Sequence, residues 1–200
     1  MTEQPTTERI WHAVALERAT LADLLAELPE SGWDTASLCE GWRVRDVVAH
    51  LVIATRVTLG SLLLELLRAR GNTDRLIHDT AVRLADRTPT AELLADLRAT
   101  VDSRVVPIGT TSIDRLMDLL VHGQDIAIPL GLDRVMPVEA AQWSLERVWT
   151  TGAPFHARRR LAGHTLTATD TGWTAGSGTP LTGTAADLLM IATGRASSRH

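Results

Sequence analysis

Three side chains concentrate the chemical potential of this sequence. Asp118 and His122 stand at i and i+4 in SIDRLMDLLVHGQDIA, so on a helix they project from one face toward a common point. His50 lies in a second helical segment, GWRVRDVVAHL, with Val47, Ala54 and Val57 on its side. Helical bundles build metal sites from inward-pointing histidines and carboxylates on facing helices. Two imidazoles and one carboxylate leave an open position, as in a catalytic zinc or related divalent site. A plainer reading makes Asp114, Asp118, His122 and Asp125 the wet side of an amphipathic helix, and His50 a core histidine. Against it, Ile113, Leu116, Met117, Leu119, Leu120, Val121 and Ile126 flank the stripe on almost every other side. A helix apolar nearly all round is buried, and buried acids need partners. Spacing alone leaves both readings open.

Other chemistries find less support. The 200 residues include no lysine and no tyrosine, which excludes a Schiff-base lysine, a phosphate-loop lysine and a phenolic acid or base. The single cysteine, Cys39, excludes an internal disulfide and a multi-cysteine zinc cluster and suits a reducing cytoplasm. Cys39 precedes a helix whose dipole favours a thiolate, but no GxSxG or cysteine-protease context surrounds it, and a small packed side chain is the simpler reading. Arg158, Arg159 and Arg160 form a basic run suited to an anion or to a solvated strand edge. Gly176-Ser177-Gly178 reads as a hairpin turn. The six tryptophans read as core anchors, with Trp42 close to His50 in sequence. A formal charge of −4 and a pI near 6.0 argue against nucleic acid as a partner.

These residues need a scaffold, and the sequence predicts a helical one. Apolar spacing predicts helices over 7–28, 43–70 with a bend near Gly60, 73–85, 90–104, 112–128 and 138–151. Beyond Gly152 the pattern turns β-like over 158–161 and 164–169, with a short final helix over 185–193. The fold class is mainly α: a four-helix-type bundle over 1–151 and a small α+β appendage with a polar tail over 152–200. The apolar stretch from Leu51 to Leu67 is interrupted by Arg56 and Glu65, so it reads as a buried helix of a soluble protein and not as a membrane span. The N-terminus lacks the basic start and apolar run of a signal peptide. Whether the bundle pairs into a homodimer is left open.

GWRVRDVVAHL, LLVHGQDIAIPLG and the closing TATDTGWTAGSG…GTAADLLMIATGR resemble the actinobacterial mycothiol-dependent maleylpyruvate isomerase family, within the wider DinB-like metal-binding bundles. The resemblance implies a divalent metal, zinc above all, held by His50, Asp118 and His122, with Asp118 where isomerase members place a glutamate. It implies that Asp125 orients an imidazole or a pocket arginine. It also implies that Arg195 meets the substrate or the thiol. Mycothiol would be the cosubstrate, and the chemistry isomerisation or S-transfer on a small electrophile, with no catalytic residue indicated beyond the metal ligands. Two other readings stand beside it: a non-catalytic metal or small-molecule binding module, and a metal-dependent hydrolase with water in place of the thiol.

Overall fold

The computed structural model describes residues 5–56 and 68–195. Helix α1 (Thr7–Ala26) starts where the Thr6 hydroxyl accepts from the Arg9 amide, and it buries Ile10, Val14, Leu21 and Leu25 along one stripe. Pro29 opens the short α2 (Glu30–Trp33). Helix α3 (Val44–Ile53) begins at Arg43, whose amide donates to the Asp46 carboxylate at 2.8 Å. Asn72 caps α4 (Thr73–Ala85), and Pro89 precedes α5 (Thr90–Ala99). Asp114 accepts from the Thr111 amide and hydroxyl at the head of α6 (Ser112–Ala127). Pro137 introduces α7 (Val138–Thr150).

Helices α1, α5, α3 and α6 close into a ring in which each packs on the next, with α4 on the outside of α3 and α7 on the outside of α6. Valines 44, 47, 48 and 52 of α3 meet Leu116 and Leu120 of α6 and Leu93 and Leu97 of α5 in the shared core. One buried cation braces the ring. Arg18 of α1 donates to the carbonyls of Thr100 at 2.7 Å and Ser103 at 2.6 Å, capping the C-terminal end of α5. Burial and repulsion from Arg115 outweigh the attraction to Asp118 and lower its pKa to about 10, so it stays charged at neutral pH.

Several predicted boundaries move, each for a local reason. The helix predicted over 43–70 stops at Ile53. There the Thr55 hydroxyl bonds back to the Val52 carbonyl at 2.8 Å, and turn bonds replace the helical ladder. The proposed bend at Gly60 lies outside the described residues, as does most of the apolar stretch. No described helix is long and apolar enough to cross a membrane. The helix predicted to reach residue 104 ends at Ala99, because the Thr100 hydroxyl takes the Leu97 carbonyl and Arg18 takes the carbonyls beyond. Residues 158–161 are not a strand. Ala157–Arg160 is a single helical turn, α8, and the Arg160 guanidinium donates to the carbonyls of Ile191 and Ala192 at the end of the closing helix.

The C-terminal segment forms a three-stranded sheet in the order β2-β1-β3, from β1 (His164–Ala168), β2 (Thr174–Gly176) and β3 (Thr179–Gly183). β2 is antiparallel to β1 and β3 parallel to it, so Gly176-Ser177-Gly178 is a crossover under the start of β1 and not a hairpin turn. Glycine is required in that crossover. At Gly178, with φ +126°, a Cβ would lie 2.0 Å from the Gly163 carbonyl oxygen. The last helix, α9 (Ala185–Ala192), is capped reciprocally by Thr184 and Asp187 and packs along α7. That packing delivers Arg195, just past its end, to the bundle. Trp33, Trp42 and Trp173 are buried, and Trp149 meets Trp173 edge-on.

Candidate metal centre

His50 occupies the last turn of α3, while Asp118 and His122 lie one turn apart on α6, the helix packed beside it. The three offer one donor atom each, all within 4.8 Å of one another. His50 Nε2 is 3.6 Å from Asp118 Oδ2, and His122 Nε2 is 3.4 Å from Asp118 Oδ1. The imidazoles meet edge-on with centroids 5.0 Å apart. Trp42 covers both, 5.3 Å from the His50 ring and 6.2 Å from the His122 ring.

Asp118 Oδ2 is buried without a hydrogen-bond partner, although Arg115 NH2 lies 3.3 Å away. An unpartnered carboxylate oxygen between two imidazoles is the environment a divalent cation would satisfy, and the N,N,O donor set suits zinc. The same groups set one another's charge. Burial alone would raise the Asp118 carboxyl, but Arg115, His122 and His50 hold it well below the ordinary range. Burial keeps His50 below its ordinary value, against the pull of Asp118. For His122 burial is outweighed by Asp118 and by hydrogen bonds to Asp125 and Cys39, so its pKa is raised well above the ordinary value.

A second layer fixes His122 from behind. Asp125, fully buried, accepts from His122 Nδ1 at 2.9 Å, from the Cys39 thiol at 3.1 Å, and from Arg195 Nε and NH2 at 3.0 and 2.6 Å. Accepting at Nδ1 turns the ring so that Nε2 faces Asp118 and His50. Burial opposes ionisation of Asp125, yet His122 and Arg195 bring its pKa down to about 2. Arg195 also donates to the Thr193 carbonyl, so it braces Asp125 at the meeting of α6 with the end of α9. The loop before α3 is pinned to the same point by the Leu38 amide on the Asp125 carbonyl, at 3.0 Å. Ser37 bonds the Cys39 amide and the Trp42 carbonyl, which places the thiol and the indole together. Cys39 therefore sits inside the site, 3.6 Å from His122 Nδ1. Its sequence context, a lone thiol in a loop, carried no sign of this, because the contact depends on α6.

His50 and Asp118 line a cleft of about 490 Å³ walled by Ile53, Leu76, Ile77, Ile108, Met117 and Phe155. Arg115 and Arg147 also line it; neither stands out in the sequence. Arg158 and Arg159 are exposed on α8 and are not among the residues that line this cleft.

Residues 14–111 match the family model described as the mycothiol maleylpyruvate isomerase N-terminal domain. The chain belongs to that family. Two crystal structures of mycothiol-dependent maleylpyruvate isomerase share its fold across nearly the whole length. A histidine-to-alanine mutant gives a TM-score of 0.66 at 14% identity, covering 98% of this chain and 93% of that one. A second structure gives 0.59 at 13% identity, covering 98% and 94%. No curated protein matches the sequence. The part matched by the mycothiol maleylpyruvate isomerase model contains Cys39, Trp42 and His50. Asp118, His122, Asp125 and Arg195 lie beyond it, and only the fold brings them to the same place.

Proposed function

We propose that this chain is a divalent-metal-dependent enzyme that uses a low-molecular-weight thiol, mycothiol, for isomerase or S-transferase chemistry on a small electrophile. The observation that carries this reading is the convergence of His50, Asp118 and His122, with one Asp118 oxygen free of hydrogen bonds, beside a 490 Å³ cleft that His50 and Asp118 line. Family membership and the shared fold support it, and the solved structures of that fold are named for mycothiol-dependent maleylpyruvate isomerase.

His50, Asp118 and His122 would hold the ion, zinc being the best fit to their donor types. Once bound, a divalent ion stabilises a thiolate at neutral pH. The chain's own residues do the rest. Asp125 holds a proton on His122 Nδ1, so Nε2 is the nitrogen that would give up its proton to ligate. Arg195 balances the charge of Asp125 and holds its carboxylate in place. Trp42 shields both imidazoles from water, and the apolar walls receive the body of the substrate. The bundle over 1–151 supplies the ligands in this reading, and the appendage over 152–200 supplies Arg195. A cytoplasmic location accords with a reduced thiol cosubstrate and an unpaired Cys39.

The test is turnover of maleylpyruvate and a panel of electrophiles by zinc-loaded protein, with and without mycothiol. Conversion that needs both zinc and thiol, and that His50→Ala and His122→Ala abolish, is the expected result. Equal conversion without thiol would overturn it in favour of a hydrolase. Saturable ligand binding without turnover of any member would overturn it in favour of a binding module.

A further inference from the structure

We infer that Arg115 is a counter-charge set beside the metal ligands, one that weakens the chain's hold on the divalent ion and strengthens the loaded site's hold on an anion. The inference rests on the proposed function, since it takes His50, Asp118 and His122 as the ligands.

Three acids around the site each face an arginine. Asp125 receives two hydrogen bonds from Arg195, at 3.0 and 2.6 Å, and Asp114 receives two from Arg147, at 2.7 and 2.9 Å. The third pair is made differently. Arg115 NH2 lies 3.3 Å from Asp118 Oδ2 and forms no hydrogen bond with it, and Arg115 Nε is buried without any partner. A guanidinium that braced Asp118 would donate to it through its fork, as Arg195 does to Asp125. Arg115 instead brings a charge close and leaves Oδ2 open to an ion. Because the side chain is buried, that charge is screened less than one in solvent. Its neighbours feel it: after burial, repulsion from Arg115 lowers Arg18, and it also disfavours a proton on His50.

The charge balance gives the consequence. With both imidazoles neutral, as ligation requires, Arg115, Arg147 and Arg195 offset Asp118, Asp114 and Asp125. Arg18, held by carbonyls, adds to the positive side. A divalent ion therefore brings two positive charges that none of the three acids is left to offset. Without Arg115, Asp118 would offset one of them, and a single thiolate would cancel the other. With Arg115 in place the centre stays cationic after one thiolate has joined it. Arg115 repels the ion and attracts any anion that joins the ion, so removing its charge should move the two affinities in opposite directions. Removing a brace would lower both.

The full chain, Arg115→Met and Arg115→Lys are purified with metal present and compared at pH 8. Competition with a chromophoric chelator measures zinc affinity. Azide, a fixed anion, and 2-mercaptoethanol, which ligates as its thiolate, are titrated into the cobalt-substituted proteins and followed in the visible spectrum. Arg115→Met is expected to bind zinc about tenfold tighter and both probes about tenfold more weakly. Arg115→Lys, which keeps the charge, should stay within about threefold of the wild type on each. Arg115→Gln repeats the test if the Met variant does not fold. Loss of fold in both neutral variants would make Arg115 a brace and overturn the inference. So would a folded neutral variant whose zinc affinity falls or holds, or whose affinity for the probes does not drop. Both expected shifts without thiol-dependent turnover would count against the proposed function and leave this inference standing. Thiol-dependent turnover with zinc affinity lowered in a folded neutral variant would do the reverse.

Discussion

Replacing Asp125 by Asn changes a few atoms and tests the whole second layer of the site. The carboxylate is fully buried and accepts four hydrogen bonds, from His122, Cys39 and twice from Arg195. Its pKa of about 2, against an ordinary 3.8, corresponds to about 2.5 kcal/mol favouring the charged form, at ~1.4 kcal/mol per tenfold. An amide keeps the shape and one acceptor oxygen but loses the charge, and it presents N–H donors to a guanidinium or a thiol. Asp125→Asn should therefore cost about 2–4 kcal/mol in stability, because it also strands the Arg195 cation. The sign with pH follows from a depressed carboxyl. Its stabilisation is fully present above the ordinary value and is lost as pH falls from about 4 toward 2, so the wild type should lose stability over that range faster than Asp125→Asn does. Zinc affinity should fall by about 10–100-fold, as when an orienting partner of a ligand histidine is removed. Urea denaturation at pH 7 and at pH 3, with zinc titration at pH 7, reads all three effects. A variant as stable as the wild type at pH 7, with unchanged zinc affinity, would refute the reasoning that Asp125 positions His122.

Three further outcomes follow from the same structure. His122 is held protonated in the metal-free chain, whereas burial keeps His50 neutral, so zinc uptake at pH 7 should release about one proton. Calorimetry in buffers of different ionisation enthalpy measures this, and a buffer-independent heat would contradict it. Arg18→Met removes the cap on the Thr100 and Ser103 carbonyls and should lower unfolding free energy by about 2–3 kcal/mol with zinc stoichiometry intact, read by urea denaturation. Gly178→Ala drives a methyl into the Gly163 carbonyl at a left-handed φ and should cost about 1–3 kcal/mol, seen as a lower melting temperature, while the equivalent change at solvent-facing Ser177 should cost little.

The pairing of Asp118 with His122 was legible because local geometry encodes it. Asp118 and His122 share a helix at i,i+4, and the apolar residues around them imply that their face turns inward. His50 joins them through the general habit of bundles to place ligands on facing helices and through the resemblance, since nothing local says that α3 lies beside α6. Cys39 and the role of Arg195 were beyond sequence reasoning for a single reason: each is defined by a contact across the bundle. Cys39 reaches Asp125 across 86 positions, and Arg195 reaches it across 70. The helix ends that moved show competition between side chain and backbone. Thr55 and Thr100 bond back to their own helices, and periodicity does not register that. The basic run over 158–160 suggested an anion site or a strand edge, and became a helix turn because Arg160 is drawn to the carbonyls closing α9.

The most direct test of the central claim is a crystal structure of the zinc-loaded chain with anomalous data collected at the zinc edge. One peak should appear within about 2.0–2.2 Å of His50 Nε2, His122 Nε2 and an Asp118 oxygen. It should vanish in His122→Ala. A peak elsewhere, such as on Cys39 and Asp125 with Arg195 displaced, would contradict the assignment, as would a fully loaded site that persists without His122.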